Sequence, residues 1–256
     1  MINRCRPPVT WLFDLDNTLH DASHAIFPAI NANMNAYLAR VLGRDGVPAD
    51  AGTVDAVRLD YWRRYGATLL GMVKHHDVRA EDFLRAAHRF DDLRQMIRAE
   101  RGIARMLARL PGRKILLTNA PHRYAHEVMR HLGLHRHFAR HISIESMHVH
   151  GQLRPKPSKS MLRKLVKRER IAAQRCILVE DTVINLKAAK QLGMRTAWIT
   201  RYLGAAHGVA ASVRTNPTKR PACVDVKVKS ITNLAKNLRR LGVFGRCPDL
   251  CSPTTI

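Results

Sequence analysis

The chain has 256 residues, 46% of them hydrophobic and 25% charged, with 44 Lys and Arg against 20 Asp and Glu for a formal charge of +24. This is the composition of a globular protein, long enough for one sizeable core and a smaller accessory unit. No apolar run approaches the ~20 residues a helical membrane span requires, so a membrane protein of that kind is excluded.

Residues 1–8 lack the apolar stretch of a signal peptide, which leads us to expect a cytoplasmic protein. Residues 9–13, VTWLF, form a nearly continuous apolar run, as in a strand buried on both faces. Two acids, Asp14 and Asp16, follow where the run ends. Strand alternation could make them ordinary surface residues. In open α/β sheets, however, the carboxyl ends of buried strands are where ligands bind.

A long stretch without strand character comes next. Helices are predicted over 25–42, 54–65, 80–90 and 94–110, with the "GATLLG" segment as a connector and Pro111-Gly112 as the stop. Then the rhythm changes to alternating strands and helices. Strands are expected at 114–118, 142–144, 176–180, 196–199 and 224–228. Helices are expected at 122–132, 157–168, 182–192 and 231–241. Residues 203–223 read as loop and 242–256 as a tail. The alternation predicts an α/β fold: a Rossmann-like, doubly wound parallel sheet from residues 1–19 and 105–241, interrupted by a helical cap at 20–104.

The basic residues concentrate late in the chain. From Arg154 onward there are 22 Lys and Arg against 5 Asp and Glu. Such a surface attracts polyanions non-specifically at low salt. Its aromatics, Trp198, Tyr202 and Phe244, are too scattered for a base-stacking platform, so no specific nucleic-acid partner is expected. Cysteines 5, 176, 223, 247 and 251 form neither a disulfide framework nor a complete metal site, so reduced thiols are expected. Eight of the fourteen histidines lie between His122 and His150. The set His131, His135 and His137 lacks a second ligand group and reads as a solvated helix end and loop.

Four features fall at the ends of core elements: Asp14 and Asp16, then Thr118-Asn119 after "KILL", Lys156 before a helix, and Glu180-Asp181 after "CILV". If the strands are parallel neighbours, carboxylates, an ammonium and a hydroxyl meet in one crevice. Clustered carboxylates suit a hard cation such as Mg²⁺. Lys and Thr suit phosphate oxygens. Singly, each has a plain alternative, Glu180-Asp181 as a helix cap among them.

In that order, "DLDNT", Thr118, Lys156 and "VEDTVINLKAAK" resemble the four motifs of the haloacid dehalogenase-like (HAD) phosphohydrolase superfamily, and the helical insert falls where that family carries its cap. The resemblance implies a Mg²⁺-dependent phosphomonoesterase acting on a small-molecule substrate. It implies that Asp14 is the nucleophile and Asp16 the general acid and base. Thr118, Asn119 and Lys156 would hold the phosphoryl group. Asp14, Asp16 through its backbone carbonyl, Asp181 and Glu180 would hold the metal. Dehalogenases of the same fold lack the second aspartate, so Asp16 counts against that reading.

Within the superfamily, "LFDLDNTLHDAS", "YWRRYGATLLGMVKHHDV" and "TNAPHRYAHEVMRHLGL" most resemble the pyrimidine 5′-nucleotidase branch. That implies a nucleoside 5′-monophosphate substrate, with Tyr61, Trp62 and Tyr65 able to stack on a base and Arg63, Arg64, His75 or His76 able to reach its polar atoms. Tyr61 and Tyr65, spaced i, i+4, could equally be cap core. The alternatives are a sugar-phosphate or phosphoglycolate phosphatase, and a basic nucleic-acid-binding protein on an enzyme-like fold.

Overall fold

A computed structural model describes residues 9–203 and 219–243. The expectations for residues 1–8, for most of the 203–223 loop and for the tail from Phe244 onward, with Cys5, Cys247 and Cys251, lie outside that range. Among the described residues, no helix is long and apolar enough to cross a membrane.

Strand β1 (Thr10–Phe13) is buried throughout and pairs in parallel with β2 (Arg113–Leu117) on one side and β6 (Cys176–Glu180) on the other. β3 (Arg140–Ile142), β7 (Arg195–Ile199) and β8 (Val226–Val228) complete a parallel six-stranded sheet in the order β3-β2-β1-β6-β7-β8. Successive side chains serve opposite faces. Trp11 and Phe13 join one apolar cluster with Ile177 and Val179, while Leu12 joins a second with Ile115 and Leu178. Burial on both faces is why VTWLF carries no polar alternation.

The first cluster is covered by α6 (Ile103–Arg109) and α7 (His122–His131), the second by α8 (Lys159–Arg168) and α9 (Val183–Lys190). This is a doubly wound α/β fold, as expected. The order reverses at β1, and in such sheets the crevice at the reversal is the ligand site.

Between β1 and β2, helices α1 (Ile26–Leu42), α2 (Ala51–Tyr65), α3 (Thr68–His75) and α4 (Ala80–Ala87) enclose a third apolar cluster that includes Leu38, Tyr61, Met72 and Phe83. Asp50 caps α2 by accepting from the Thr53 amide at 3.0 Å. The expected "GATLLG" connector is a correction: the turn is confined to Gly66, at φ 78°, and Ala67, and α3 follows at once. Gly71 lies inside α3 because a Cβ there would stand 2.1 Å from Tyr61 Cγ. Its small size lets α2 and α3 cross closely, outweighing the ~1 kcal/mol helix-propensity cost of glycine.

The single helix expected over 94–110 is also corrected. A short α5 (Leu93–Met96) ends early, Gly102 adopts φ 89°, and α6 starts after it. The intervening backbone is turned to tertiary use: the Asp21 amide donates to the Arg98 carbonyl at 2.7 Å. β3 ends at Ile142, two residues before the expected limit, because Ile144 starts a 3₁₀ turn and donates to the Ala120 carbonyl. A small hairpin of β4 (His148–Val149) and β5 (Gln152–Leu153) was not legible in the sequence. Residues Ile231–Asn237 form 3₁₀ rather than α turns, and buried Ile231 and Leu234 match its three-residue period.

Candidate active site

The chain continues the sheet ladder one residue past β1, where the Asp14 amide donates to the Val179 carbonyl at 3.0 Å. It then turns sharply. Leu19 donates to the Leu15 carbonyl at 2.8 Å, and both leucines are fully buried. Asn17 takes the left-handed conformation, φ 57°, which Asn tolerates better than most residues. Its side chain is locked by Ser23 through two hydrogen bonds of 2.8 and 3.1 Å. Leu15 therefore anchors the turn, while the carboxylates on either side of it reach the crevice.

Lys156 arrives from the loop before α8. Its Nζ donates to Asp14 Oδ1 at 2.6 Å and to Glu180 Oε2 at 2.7 Å, with all three side chains buried. The lysine loop is pinned to the end of β2 by Asn119, whose Nδ2 donates to the Lys156 carbonyl at 3.0 Å and whose Oδ1 accepts from the Lys156 amide at 2.9 Å. Thr118 is buried beside it. Its Oγ1 accepts from the Ala120 amide at 3.0 Å, which leaves its own hydrogen to donate.

Glu180 ends β6 and Asp181 follows. The Trp198 indole donates to the Asp181 carbonyl at 2.8 Å, and the Thr182 hydroxyl donates to Asp181 Oδ1 at 2.9 Å. Thr182, not Glu180 or Asp181, is the first flanking residue of α9. Oxygen atoms of Asp14, Glu180 and Asp181 lie within 4.8 Å of one another. Among the described residues this is the group of three ligand-bearing side chains close enough together that it could hold a metal ion. Its all-carboxylate character suits a hard cation. The histidines of 131–137 make no such group.

Burial, then the neighbouring Glu180 charge, push the Asp14 carboxyl well above the ordinary range, against the pull of Lys156. Burial likewise raises Glu180. Asp16 behaves differently. Burial acts upward, but the hydrogen bond and charge of His20, with the Tyr124 hydroxyl, outweigh it and hold Asp16 below the ordinary range. His20 Nε2 lies 2.9 Å from Asp16 Oδ1, and Tyr124 donates to the same oxygen at 2.5 Å.

His20 and Tyr124 were not singled out from sequence. A polar residue four positions after Asp16, in a stretch otherwise buried, was the available signal for His20. Tyr124 had none, because only the packing of α7 against β1 brings it there.

Tyr61, Tyr65, His75 and His76, expected in a cap, form a separate group. The Tyr61 hydroxyl pairs with His76 Nε2 at 2.5 Å and the Tyr65 hydroxyl with His75 Nε2 at 2.7 Å. Tyr61 is part of the third apolar cluster. Arg64 is exposed and ion-paired to Asp60. The structure brings Asp14, Thr118, Asn119, Lys156, Glu180 and Asp181 together, and the hydrogen bonds of the cap tyrosines and histidines run to one another.

Several solved structures share this architecture. A HAD phosphatase from Thermococcus onnurineus superposes with a TM-score of 0.59 at 17% identity, over 90% of this chain and 97% of that one. A 2-haloacid dehalogenase from Pseudomonas syringae gives 0.54 at 18%, over 91% and 98%. An L-2-haloacid dehalogenase from Xanthobacter autotrophicus gives 0.53 at 16%, over 90% and 98%. At these identities the likeness is one of fold. The sequence profile of haloacid dehalogenase-like hydrolases matches residues 10–193, a span that runs from β1 through the whole carboxylate crevice to the end of the turn after α9. The chain belongs to the haloacid dehalogenase-like hydrolase family.

Proposed function

We propose that the protein is a Mg²⁺-dependent phosphomonoesterase acting on nucleoside 5′-monophosphates, with pyrimidines favoured. The observation that carries the phosphatase reading is Asp16, a second carboxylate two residues from Asp14, gripped by His20 and Tyr124. Displacing a halide needs no proton donor, whereas an alkoxide leaving group does. Related folds with either activity resemble this chain, so it is this chemical argument that favours the phosphatase.

In the proposed reaction an Asp14 oxygen attacks phosphorus, the bond from phosphorus to the leaving oxygen breaks, and Asp16 gives that oxygen its proton. The adjacent anionic phosphate favours protonated Asp16 before this step, since a like charge raises a carboxyl pKa. Asp16, now a carboxylate, takes a proton from water as that water attacks the phosphorus. Inorganic phosphate leaves and Asp14 is regenerated. Splitting one displacement into two is the general advantage of covalent catalysis. Thr118 and Lys156 bind the phosphoryl oxygens, and Asn119 serves the same site by holding the lysine loop.

Asp14, Glu180, Asp181 and the Asp16 carbonyl would hold Mg²⁺, which when bound offsets the repulsion between an anionic nucleophile and an anionic phosphate. Residues 20–104 act as the cap over this crevice, with Tyr61 in its apolar cluster and Arg64 exposed. The nucleotide assignment draws support from the sequence resemblance to pyrimidine 5′-nucleotidases.

The test is a panel of phosphomonoesters and 2-haloacids assayed with Mg²⁺ and with EDTA. Uridine and cytidine monophosphates are expected to exceed adenosine monophosphate and glucose 6-phosphate several-fold in kcat/KM, a discrimination of ~1 kcal/mol. EDTA is expected to abolish turnover. Best activity on a sugar phosphate or phosphoglycolate overturns the nucleotide assignment, and activity on haloacids alone overturns the phosphatase.

A further inference from the structure

A cavity of about 870 Å³ opens between the cap and the core, walled by the end of α4, the 88–94 segment and the start of α7. Its volume is in the range of small-molecule sites. Tyr124 is its link to the chemistry. The residue is almost fully buried in the cavity wall, and its hydroxyl donates to Asp16. A general acid must lie within hydrogen-bond reach of the oxygen that joins phosphorus to the leaving group, because it protonates that oxygen. With phosphate at Asp14 and Lys156, the leaving group therefore emerges on the Asp16 side, where Tyr124 forms a wall.

The chemistry of the lining narrows the ligand. His88, Phe90 and Tyr124 form a continuous aromatic cluster: centroids are 5.3 Å apart for His88 and Tyr124, and 5.9 Å for Phe90 and Tyr124. Both His88 and Phe90 are half-buried. The His88 Nδ1 donates to the Leu84 carbonyl at 3.0 Å, so the neutral ring presents Nε2 as an acceptor. Burial lowers the His88 pKa, which favours that neutral form. Around the rings, four guanidinium groups are matched by five carboxylates. Such a balanced rim offers donors and acceptors but no net attraction for a second phosphate or a carboxylate.

We infer that this cavity is the leaving-group site, and that it takes a neutral heteroaromatic nucleoside with its base against His88, Phe90 and Tyr124. The inference rests on the nucleotide phosphatase reading and assigns base recognition to this cluster. The Tyr61 and Tyr65 hydroxyls are already engaged by His76 Nε2 and His75 Nε2.

The experiment compares uridine monophosphate with methyl phosphate on wild type, Phe90→Ala and Phe90→Tyr, each with Mg²⁺. The ratio of their kcat/KM values is expected to fall at least fivefold in Phe90→Ala, through KM for the nucleotide, and to recover in Phe90→Tyr. Free uridine is expected to inhibit methyl phosphate turnover competitively in wild type and at least fivefold more weakly in His88→Ala. This second comparison decides the matter should Phe90→Ala not fold. A nucleotide preference that persists in folded Phe90→Ala overturns the cavity assignment alone, as does uridine inhibition unchanged in His88→Ala. A wild type with phosphatase activity but no preference for the nucleotide overturns the nucleotide reading and the cavity assignment together.

Discussion

Lys156→Met removes the ammonium shared by Asp14 and Glu180 while nearly keeping the side-chain shape. At the observed 2.6 and 2.7 Å, two unit-charge contacts are worth about 6 kcal/mol each at an effective dielectric near 20. Desolvating the buried ammonium costs several kcal/mol in the other direction. Removing one partner of such a group typically destabilises by about 3–5 kcal/mol, because the remaining charges stay buried without compensation. The expected result is a loss of that size in urea denaturation at pH 7 with EDTA present.

The pH dependence supplies a second readout. Both carboxyls already lie above their ordinary range, chiefly through burial, and Lys156 pulls each of them down. Without it they rise further. A carboxyl whose folded pKa exceeds its unfolded value contributes stability at low pH that is lost as pH rises through the folded pKa. The variant should therefore regain stability relative to wild type as pH falls from 7 toward the ordinary carboxyl range near ~4. Stability within ~1 kcal/mol of wild type at pH 7, or a difference independent of pH, would refute the coupling of these buried charges.

Three further outcomes are expected. Asp14→Asn should abolish turnover with no loss of thermal stability, since it removes a carboxylate whose burial is unfavourable; residual wild-type-like turnover in purified protein would displace Asp14 as nucleophile. Asp16→Ala should lose more activity on an alkyl phosphate than on nitrophenyl phosphate, whose leaving group needs less protonation; equal losses would contradict the acid role. Gly71→Ala should destabilise by about 1–3 kcal/mol in chemical denaturation, because the new methyl meets the Tyr61 ring; a neutral effect would mean that α2 and α3 separate easily.

The amino-acid sequence by itself determined the doubly wound core and its crevice. Fully buried strands must be apolar along their whole length, so VTWLF and CILV stand out, and polar residues where those runs end mark the strand ends that meet at the crevice. Asp14, Thr118, Glu180 and Asp181 were legible for that reason, and Lys156 by its place before a helix in the same motif order. The helical insert between β1 and β2 was less so. Its helix breaks depend on Gly66 and Gly102 adopting positive φ and on a backbone bond between Asp21 and Arg98, which local periodicity does not report. Only tertiary structure decided how Asp16 is held. His20 lies four residues away, but Tyr124 is 108 residues distant in the chain and reaches the carboxylate because α7 packs on the Trp11 and Phe13 face of the sheet. The cavity wall of His88, Phe90 and Tyr124 likewise joins two segments more than thirty residues apart. No spacing rule links such residues, since what brings them together is the burial of apolar faces that each segment shares with the same core.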